Sequence, residues 1–308
     1  MTRLGFIKPT YPNEKRVCLL PEHAERGFLV ESGFGNSLGI DDESYRKLGC
    51  IVLSREEVYQ ESDVVVNLKL TQPSDYPLIK KGLTIIGWTH VNGSGHGFFN
   101  TVAKEKELVI FDLINTNPSV FFKESKLSLN LPKNLIWKNN WLAGYASTFH
   151  GLTVTGRLMP RKNETNDVAV IGTGNVSQGA FTCLVKLGYF PRMYSRKTLE
   201  QFSPKYHKIV VNGVESDSGT LIRLKEQVQN PGVFYIDAAA DGNGKTIEGI
   251  DYTDFTTPVY ERYGNTYYCV NNSPTVFYPQ ASEAISEAWS SKVYNMDFTS
   301  IIEKVRTM

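Results

Sequence analysis

This chain of 308 residues is poor in cysteine, has almost no net charge and contains no long apolar run. Cys18, Cys50, Cys183 and Cys269 are widely scattered, with no C-x-x-C spacing and no histidine placed to complete a metal site. Cysteines so placed read as buried thiols in a reducing compartment, and no metal is expected. Lys and Arg total 33 against 32 for Asp and Glu, a formal charge of +1. A polyanion needs a sustained positive face, so neither nucleic acid nor a membrane surface is an expected partner. No run approaches the roughly 20 apolar residues of a membrane span. The start Met1-Thr2-Arg3-Leu4-Gly5 lacks the apolar core of a secretory signal, and a soluble cytoplasmic protein is expected. There is no internal repeat and no low-complexity segment. The length exceeds that of a usual single domain and suffices for two cores.

What the chain does have is alternation. Short apolar segments exchange with helix-like stretches nearly throughout, which favours α/β layers with parallel sheets. Strands are expected at 4–8, 64–70, 83–89 and 108–113, and again at 168–171, 192–195, 209–212, 233–238 and 267–270. Between the two sets lies a helix-length segment, 143–158, followed by a polar stretch, 160–166, that reads as a loop leading into the second sheet. The tail, 280–304, reads as two helices, with Ala281, Ile285 and Trp289, then Phe298, Ile302 and Val305, at helical spacing. The expected fold is α/β, with two Rossmann-like doubly wound parallel-sheet domains. One spans 1–140 and is completed by C-terminal helices at 276–308; the other, 141–275, begins with a linker helix and binds dinucleotide. An interdomain cleft is the expected place for substrate.

The strongest local signal is the apolar run Val168, Ala169, Val170, Ile171 leading into Gly172-Thr173-Gly174-Asn175-Val176-Ser177-Gln178-Gly179 and a helix-like segment. A strand ending in glycines turns tightly, lets backbone approach a pyrophosphate and presents the next helix's N-terminal amides to its charge. Glycine turns also serve packing alone, and Ser177 stands where the usual pattern has its third glycine. The next strand ends in Ser195-Arg196-Lys197, about where an NAD enzyme places a ribose-binding carboxylate. A guanidinium, an ammonium and a hydroxyl suit a 2′-phosphate, so NADP(H) is expected over NAD(H); the bland alternative is a solvated basic turn. Asn212, closing the strand 209–212, belongs to the expected cofactor set with Gly172, Gly174, Asn175, Val176, Ser195, Arg196 and Lys197.

The remaining chemistry gathers at strand ends in the first half. Arg16 precedes an apolar step, Lys69 interrupts the apolar run 64–70, and His90 closes Ile85-Ile86-Gly87-Trp88-Thr89-His90. A lysine inside a buried strand must find a partner or lose its proton. Each has a plainer reading: an edge lysine whose stem snorkels to water, a hydrogen-bonded core histidine, and an ion pair of Arg16 with Glu14 or Glu22. Asp237 and Asp241 follow another strand and precede a glycine turn, where one of them can be a turn former.

Taken in order, Glu14-Lys15-Arg16-Val17, Leu68-Lys69-Leu70 with Gln72-Pro73, 85–90, Ala143-Gly144-Tyr145-Ala146, the glycine turn and 236–244 resemble the alanine dehydrogenase and transhydrogenase family along essentially the whole chain. Within it the chain looks most like the shorter carboxyethylornithine synthases, through Leu68-Lys69-Leu70-Thr71-Gln72-Pro73-Ser74-Asp75-Tyr76-Pro77, Ile86-Gly87-Trp88-Thr89-His90 and Met193-Tyr194-Ser195-Arg196-Lys197-Thr198. The resemblance implies an enzyme that joins pyruvate to the side-chain amine of ornithine, or of lysine, and reduces the imine with NADPH. It implies that Arg16 holds the oxo-acid carboxylate, that Lys69 and His90 bind the reacting oxygen and exchange protons, and that Asp241 sits close to cofactor and substrate. It implies a nicotinamide contact for Asn272, within an Asn-x-Pro turn that also reads as a plain turn, and a homo-oligomer, dimer or tetramer.

The chain departs from the synthase pattern at Ser177, where an alanine is expected, and at His90-Val91-Asn92-Gly93, which replaces a His-Pro-Phe-Gly-like loop and leaves the amine donor open. Glu22, Asp75 and Asp112 are carboxylates that could receive the amino acid, and the sequence does not rank them. An amino-acid dehydrogenase using free ammonia and a non-catalytic NADPH-binding protein are the other readings.

Overall fold

The structure is a computed structural model that describes residues 2–114, 117–161, 165–214, 220–240 and 246–308. The chain forms two compact units, one from Met1–Ile136 with Tyr278–Met308 and the other from Trp137–Phe277. Among the described residues no helix is long and apolar enough to cross a membrane.

The first unit is built on β1 (Leu4–Ile7), β2 (Leu29–Glu31), β3 (Ile51–Leu53), β4 (Val64–Asn67), β5 (Thr84–Gly87), β6 (Val109–Asp112), β7 (Ser119–Phe122) and β8 (Ser125–Ser128). Their order is β3-β2-β1-β4-β5-β6-β7-β8. Pairing is parallel from β3 to β6, and β7 and β8 run antiparallel at the edge. Every residue of β1, β4, β5 and β6 is buried, as expected for parallel strands covered on both faces. Alternate side chains serve opposite faces: Val64 and Val66 join one apolar cluster, Val65 the other. Into the first cluster the tail helices Tyr278–Lys292 and Phe298–Thr307 insert Ile285, Trp289, Phe298 and Val305. Trp289 meets Trp88 edge-on at 5.5 Å, and the Ser282 and Ser286 hydroxyls accept the Val17 and Leu20 amides.

The second unit carries β9 (Val168–Ile171), β10 (Arg192–Tyr194), β11 (Ile209–Asn212), β12 (Phe234–Asp237), β13 (Val259–Arg262) and β14 (Asn265–Tyr268). Their order is β10-β9-β11-β12-β14-β13, parallel except for β13. Helix Trp137–Val154 packs on helix Asn175–Lys186 at glycines. A Cβ on Gly144 would stand 1.8 Å from the Val176 carbonyl oxygen, and one on Gly179 1.9 Å from that of Trp141, so only glycine permits this approach.

The doubly wound α/β fold is thus as the alternation implies. Details shift. The helix expected at 143–158 starts at Trp137 and stops at Val154, with Gly156 at φ +68° carrying the chain out. Lys69 is not inside a strand. Pairing of β4 with β1 ends at Ile7↔Asn67, because the next amide of the partner strand, Lys8, donates to the Glu31 carboxylate instead.

Candidate active site

In both sheets the strand order reverses once in the middle, between β1 and β4 and between β9 and β11. Loops leaving the carboxyl ends of the two strands part there, and ligands of open α/β sheets bind at that point. Arg16 and Lys69 follow β1 and β4, the glycine turn and Asn212 follow β9 and β11, while His90 and Asn272 follow the more distant β5 and β14.

In the first unit the loop after β1 carries Glu14 and Arg16, both with essentially no exposed side chain. Glu14 Oε1 accepts from the Arg16 amide and Nε at 2.8 Å each, and Oε2 from Nη2 at 2.6 Å. Burial alone would raise the Glu14 carboxyl, but the Arg16 guanidinium, with Lys69 adding, holds it below its ordinary value. The ion pair foreseen as the plain reading of Arg16 is therefore present. It takes two of the five N–H groups of a guanidinium and fixes the plane of the rest.

Lys69 lies just past β4 and is buried. Its Nζ stands 5.4 Å from the Tyr11 ring centre and 5.5 Å from that of Trp88, while Arg16 Cζ is 5.3 Å from Trp88. One indole thus meets both cations, a favourable setting for charge away from water. Two residues beyond Trp88, His90 is half-buried with φ +52°. That backbone is held by a single carboxylate at the end of β6. Asp112 Oδ1 accepts the Thr89 and His90 amides at 3.0 and 3.1 Å, and Oδ2 the Val91 amide at 2.8 Å. Burial raises the Asp112 carboxyl, against the pull of the Val91 amide and the His90 imidazole.

Arg16 and Lys69 therefore come together at the Trp88 indole, and His90 follows two residues later on the same chain segment. Two residues that sequence reasoning left out, Trp88 and Tyr11, join them, as does Glu14, already foreseen as an ion-pair partner of Arg16. Glu14 had a signal in its i, i+2 spacing to Arg16, Trp88 had one in its place two before His90, and Tyr11 had none. Two carboxylates considered for the amino acid are occupied internally: Asp112 by the His90 loop and Asp75 by Arg55, at 2.6 and 2.9 Å. Glu22 is exposed. Asp241 lies outside the described residues.

In the second unit Gly172 has φ +97°, and a Cβ there would collide with Val214 Cγ2 at 2.5 Å and Ser177 Oγ at 2.6 Å. Gly174 is the N-cap of helix Asn175–Lys186, makes no side-chain cap bond and has nothing within 4 Å of its Cβ direction. The helix's first amides thus start beside open space, a cradle that fits a dinucleotide's pyrophosphate. Ser177 is compatible with that turn. It is buried and donates its hydroxyl to the Ile171 carbonyl at 3.0 Å, in room left by Gly172 and Gly213.

The Gly172 amide donates to the Tyr194 carbonyl at 2.8 Å, which sets the end of β10 next to the glycine turn. Ser195 is tied to Thr198, and Arg196 and Lys197 are exposed with no carboxylate at 195–197. Asn212 is buried, gives Nδ2 to the Val214 carbonyl and Asp237 Oδ1, and receives the Val214 amide on Oδ1. Its side chain shapes the turn after β11. Asp237 acts as a turn former, accepting the Ala239 amide at 3.1 Å. Its carboxyl is pushed up to about 6 by burial, against the bonds from Asn212 and Ala239, and among the described residues Oδ2 has no hydrogen-bond partner. Asn272, at φ +67°, is buried in a turn that Ser273 anchors to Ser147 Oγ and the Ala143 carbonyl.

Residues 5–117 match the family described as alanine dehydrogenase/PNT, N-terminal domain. The chain is 41% identical to an N(5)-(carboxyethyl)ornithine synthase of Clostridium botulinum over 99% of both chains. It is 39% identical to one of Lactococcus lactis subsp. lactis, again over 99% of both. An L-alanine dehydrogenase structure superposes with a TM-score of 0.77 at 18% identity, covering 98% of this chain and 92% of that one, a likeness of fold. The chain belongs to the carboxyethylornithine synthases of the alanine dehydrogenase/transhydrogenase family.

Proposed function

We propose that this protein is an NADPH-dependent oxidoreductase that joins pyruvate, or another short 2-oxo acid, to the side-chain amine of ornithine or lysine and reduces the resulting imine. The observation that carries the reading is the meeting of Arg16 and Lys69 at the Trp88 indole, two residues before His90. It occurs in a chain that matches proteins named as such synthases from end to end.

In this reading the Arg16 guanidinium, oriented by Glu14, binds the oxo-acid carboxylate. Lys69, as an ammonium, donates a hydrogen bond to the carbonyl oxygen, so that the neighbouring carbon accepts the amine. His90 takes a proton from the attacking nitrogen and returns one to the hydroxyl of the carbinolamine, which leaves as water. Two protons pass from the amine nitrogen to the former carbonyl oxygen, the first making the carbinolamine hydroxyl and the second releasing it as water, so C=O is exchanged for C=N. Hydride for the imine carbon would come from a reduced nicotinamide when bound, and a proton from solvent would complete the amine nitrogen. Gly172, Gly174, Asn175 and Val176 would hold the pyrophosphate through backbone, Ser195, Arg196 and Lys197 the 2′-phosphate, and Asn272 the nicotinamide. Asn212 would act through the turn it shapes. Asp241, which lies outside the described residues, is proposed for the acid–base set on the resemblance alone.

The test is NADPH oxidation with pyruvate and each of ornithine, lysine, arginine and ammonia, with NADH in parallel. Turnover with a basic amino acid and NADPH supports the reading and names the donor. Turnover with ammonia alone moves the protein to the amino-acid dehydrogenases, and tight NADPH binding with no turnover revives a binding role. His90→Ala and Lys69→Ala should each lower turnover by about 10²- to 10⁴-fold with NADPH affinity unchanged. Unchanged turnover in His90→Ala removes its acid–base role.

A further inference from the structure

We infer that a partly buried ionic network centred on Arg55 and Asp75 is a positioning device for the oxo-acid site, setting the distance between the loop after β1 and the loop after β4. This rests on the reading that Arg16, Lys69 and His90 handle the oxo acid.

Arg55 opens helix Arg55–Glu61, whose start is fixed by a capping box between Ser54 and Glu57. From there the guanidinium reaches three chain segments at once. Nη1 donates to Glu31 at 2.8 Å, at the end of β2, and to the Lys8 carbonyl at 2.9 Å, just past β1. Nε and Nη2 clasp both oxygens of Asp75 at 2.9 and 2.6 Å. Asp75, only 2% exposed, also accepts the Tyr59 hydroxyl at 3.3 Å and, at 3.4 Å, the Thr10 hydroxyl. Glu31 in turn accepts the Lys8 amide at 2.7 Å and pairs with the Lys8 ammonium at 3.2 Å.

The placement is what gives the network a role in the site. Lys8 and Thr10 lead directly into Tyr11, Glu14 and Arg16, while Asp75 ends the stretch that began at Lys69. The two stretches meet where Lys69 Nζ faces the Tyr11 ring. Two cations and two carboxylates make the set neutral, and apolar side chains of equal volume often serve stability as well as a buried ion pair does. What a forked, two-point pair supplies beyond stability is direction. A displacement of about 1 Å in a reacting group can cost about 100-fold in rate, so a rigid tie between these loops matters at the site even though it lies behind it.

The experiment uses the NADPH-loaded enzyme with Asp75→Asn, Arg55→Lys and the double variant Arg55→Met/Asp75→Leu. Readouts are kcat and KM for the oxo acid, NADPH affinity, thermal midpoint and Trp88 emission, the last taken as the difference from a Trp88→Phe background. Asp75→Asn should lower kcat/KM for the oxo acid by about 10- to 100-fold with NADPH affinity held, and Arg55→Lys, which keeps charge without the fork, should fall between. The double variant decides the matter and covers the case in which Asp75→Asn fails to fold. Recovered stability with activity still low supports positioning, whereas activity that returns with stability overturns it. If the wild type turns over no oxo-acid and amine pair, the functional reading fails by itself. Trp88 emission then decides: a change in the stable double variant shows the cations leaving the indole, and an unchanged spectrum overturns the inference.

Discussion

Asp237 offers a test in which geometry sets both sign and size. Its carboxyl is buried at the end of β12 with Oδ2 unpartnered among the described residues, and its pKa is about 6 against an ordinary 3.8. A difference of about 2 pH units, at about 1.4 kcal/mol each, is roughly 3 kcal/mol. Below pH 3.8 the group is protonated whether the chain is folded or not, and it carries no penalty. As pH rises the unfolded chain ionises first, while the folded chain keeps its proton until about 6, so stability falls across that window and stays low above it. Asp237→Asn keeps an oxygen for the Asn212 and Ala239 donors and does not titrate. Its amide nitrogen replaces Oδ2 at a cost that is the same at every pH, so that cost cancels when two pH values are compared. Because the unfolded group is already partly ionised near pH 4, the variant should gain about 2 to 3 kcal/mol on wild type between about pH 4 and pH 8. For a unit of this size that is roughly 8 °C in thermal midpoint. Differential scanning calorimetry of both proteins at stepped pH reads it. A midpoint difference that is flat from pH 4 to 8 would refute the reasoning.

Asp112→Asn leaves one carbonyl oxygen where two carboxylate oxygens hold three amides; kcat should drop by about 10- to 100-fold with NADPH affinity held, and a wild-type kcat would show that the His90 loop does not need the carboxylate. Arg196→Glu should weaken NADPH binding by about 10- to 100-fold, the worth of a lost charge-assisted contact, and leave NADH unaffected. Equal losses for both coenzymes in a fluorescence titration would count against the 2′-phosphate reading. Gly179→Ala forces a methyl to within 1.9 Å of the Trp141 carbonyl oxygen. A loss of about 1 to 3 kcal/mol is expected, and an unchanged denaturation midpoint would contradict the close helix contact.

Elements with continuous apolar runs were legible. β9, β11 and β12 are buried on both faces, so burial is written directly in Val168, Val210 or Ile236. β2 and β3 escaped because three residues carry no period, and β8 because Ser-Lys-Leu-Ser alternates exposure at a sheet edge. The apolar run 64–70 outlasts its strand because pairing stops when Lys8 turns to Glu31, a contact 23 residues away in sequence. At the site, residue type pointed to Arg16, Lys69 and His90, and the Glu14 pair was readable from spacing. The holding of His90 was not, since Asp112 acts through backbone amides more than 20 residues earlier, and hydrogen bonds to backbone leave no mark on side-chain pattern. Ser177 looked like a defect in the glycine pattern until its hydroxyl was seen on the Ile171 carbonyl.

The insertion of Trp289, Phe298 and Val305 into the core that also holds Phe6, Val64 and Val66 has a consequence for biosynthesis. On the ribosome, everything needed for the unit Trp137–Phe277 emerges before the last pieces of the unit that started first. The earlier sheet must wait, its Val17 and Leu20 amides lacking the serine hydroxyls that accept them until chain some 265 residues downstream has been made. At about 5 to 20 residues per second, that interval is on the order of tens of seconds. During it the nascent chain carries an unfinished apolar face, so the second unit to be translated is the first whose chain is complete.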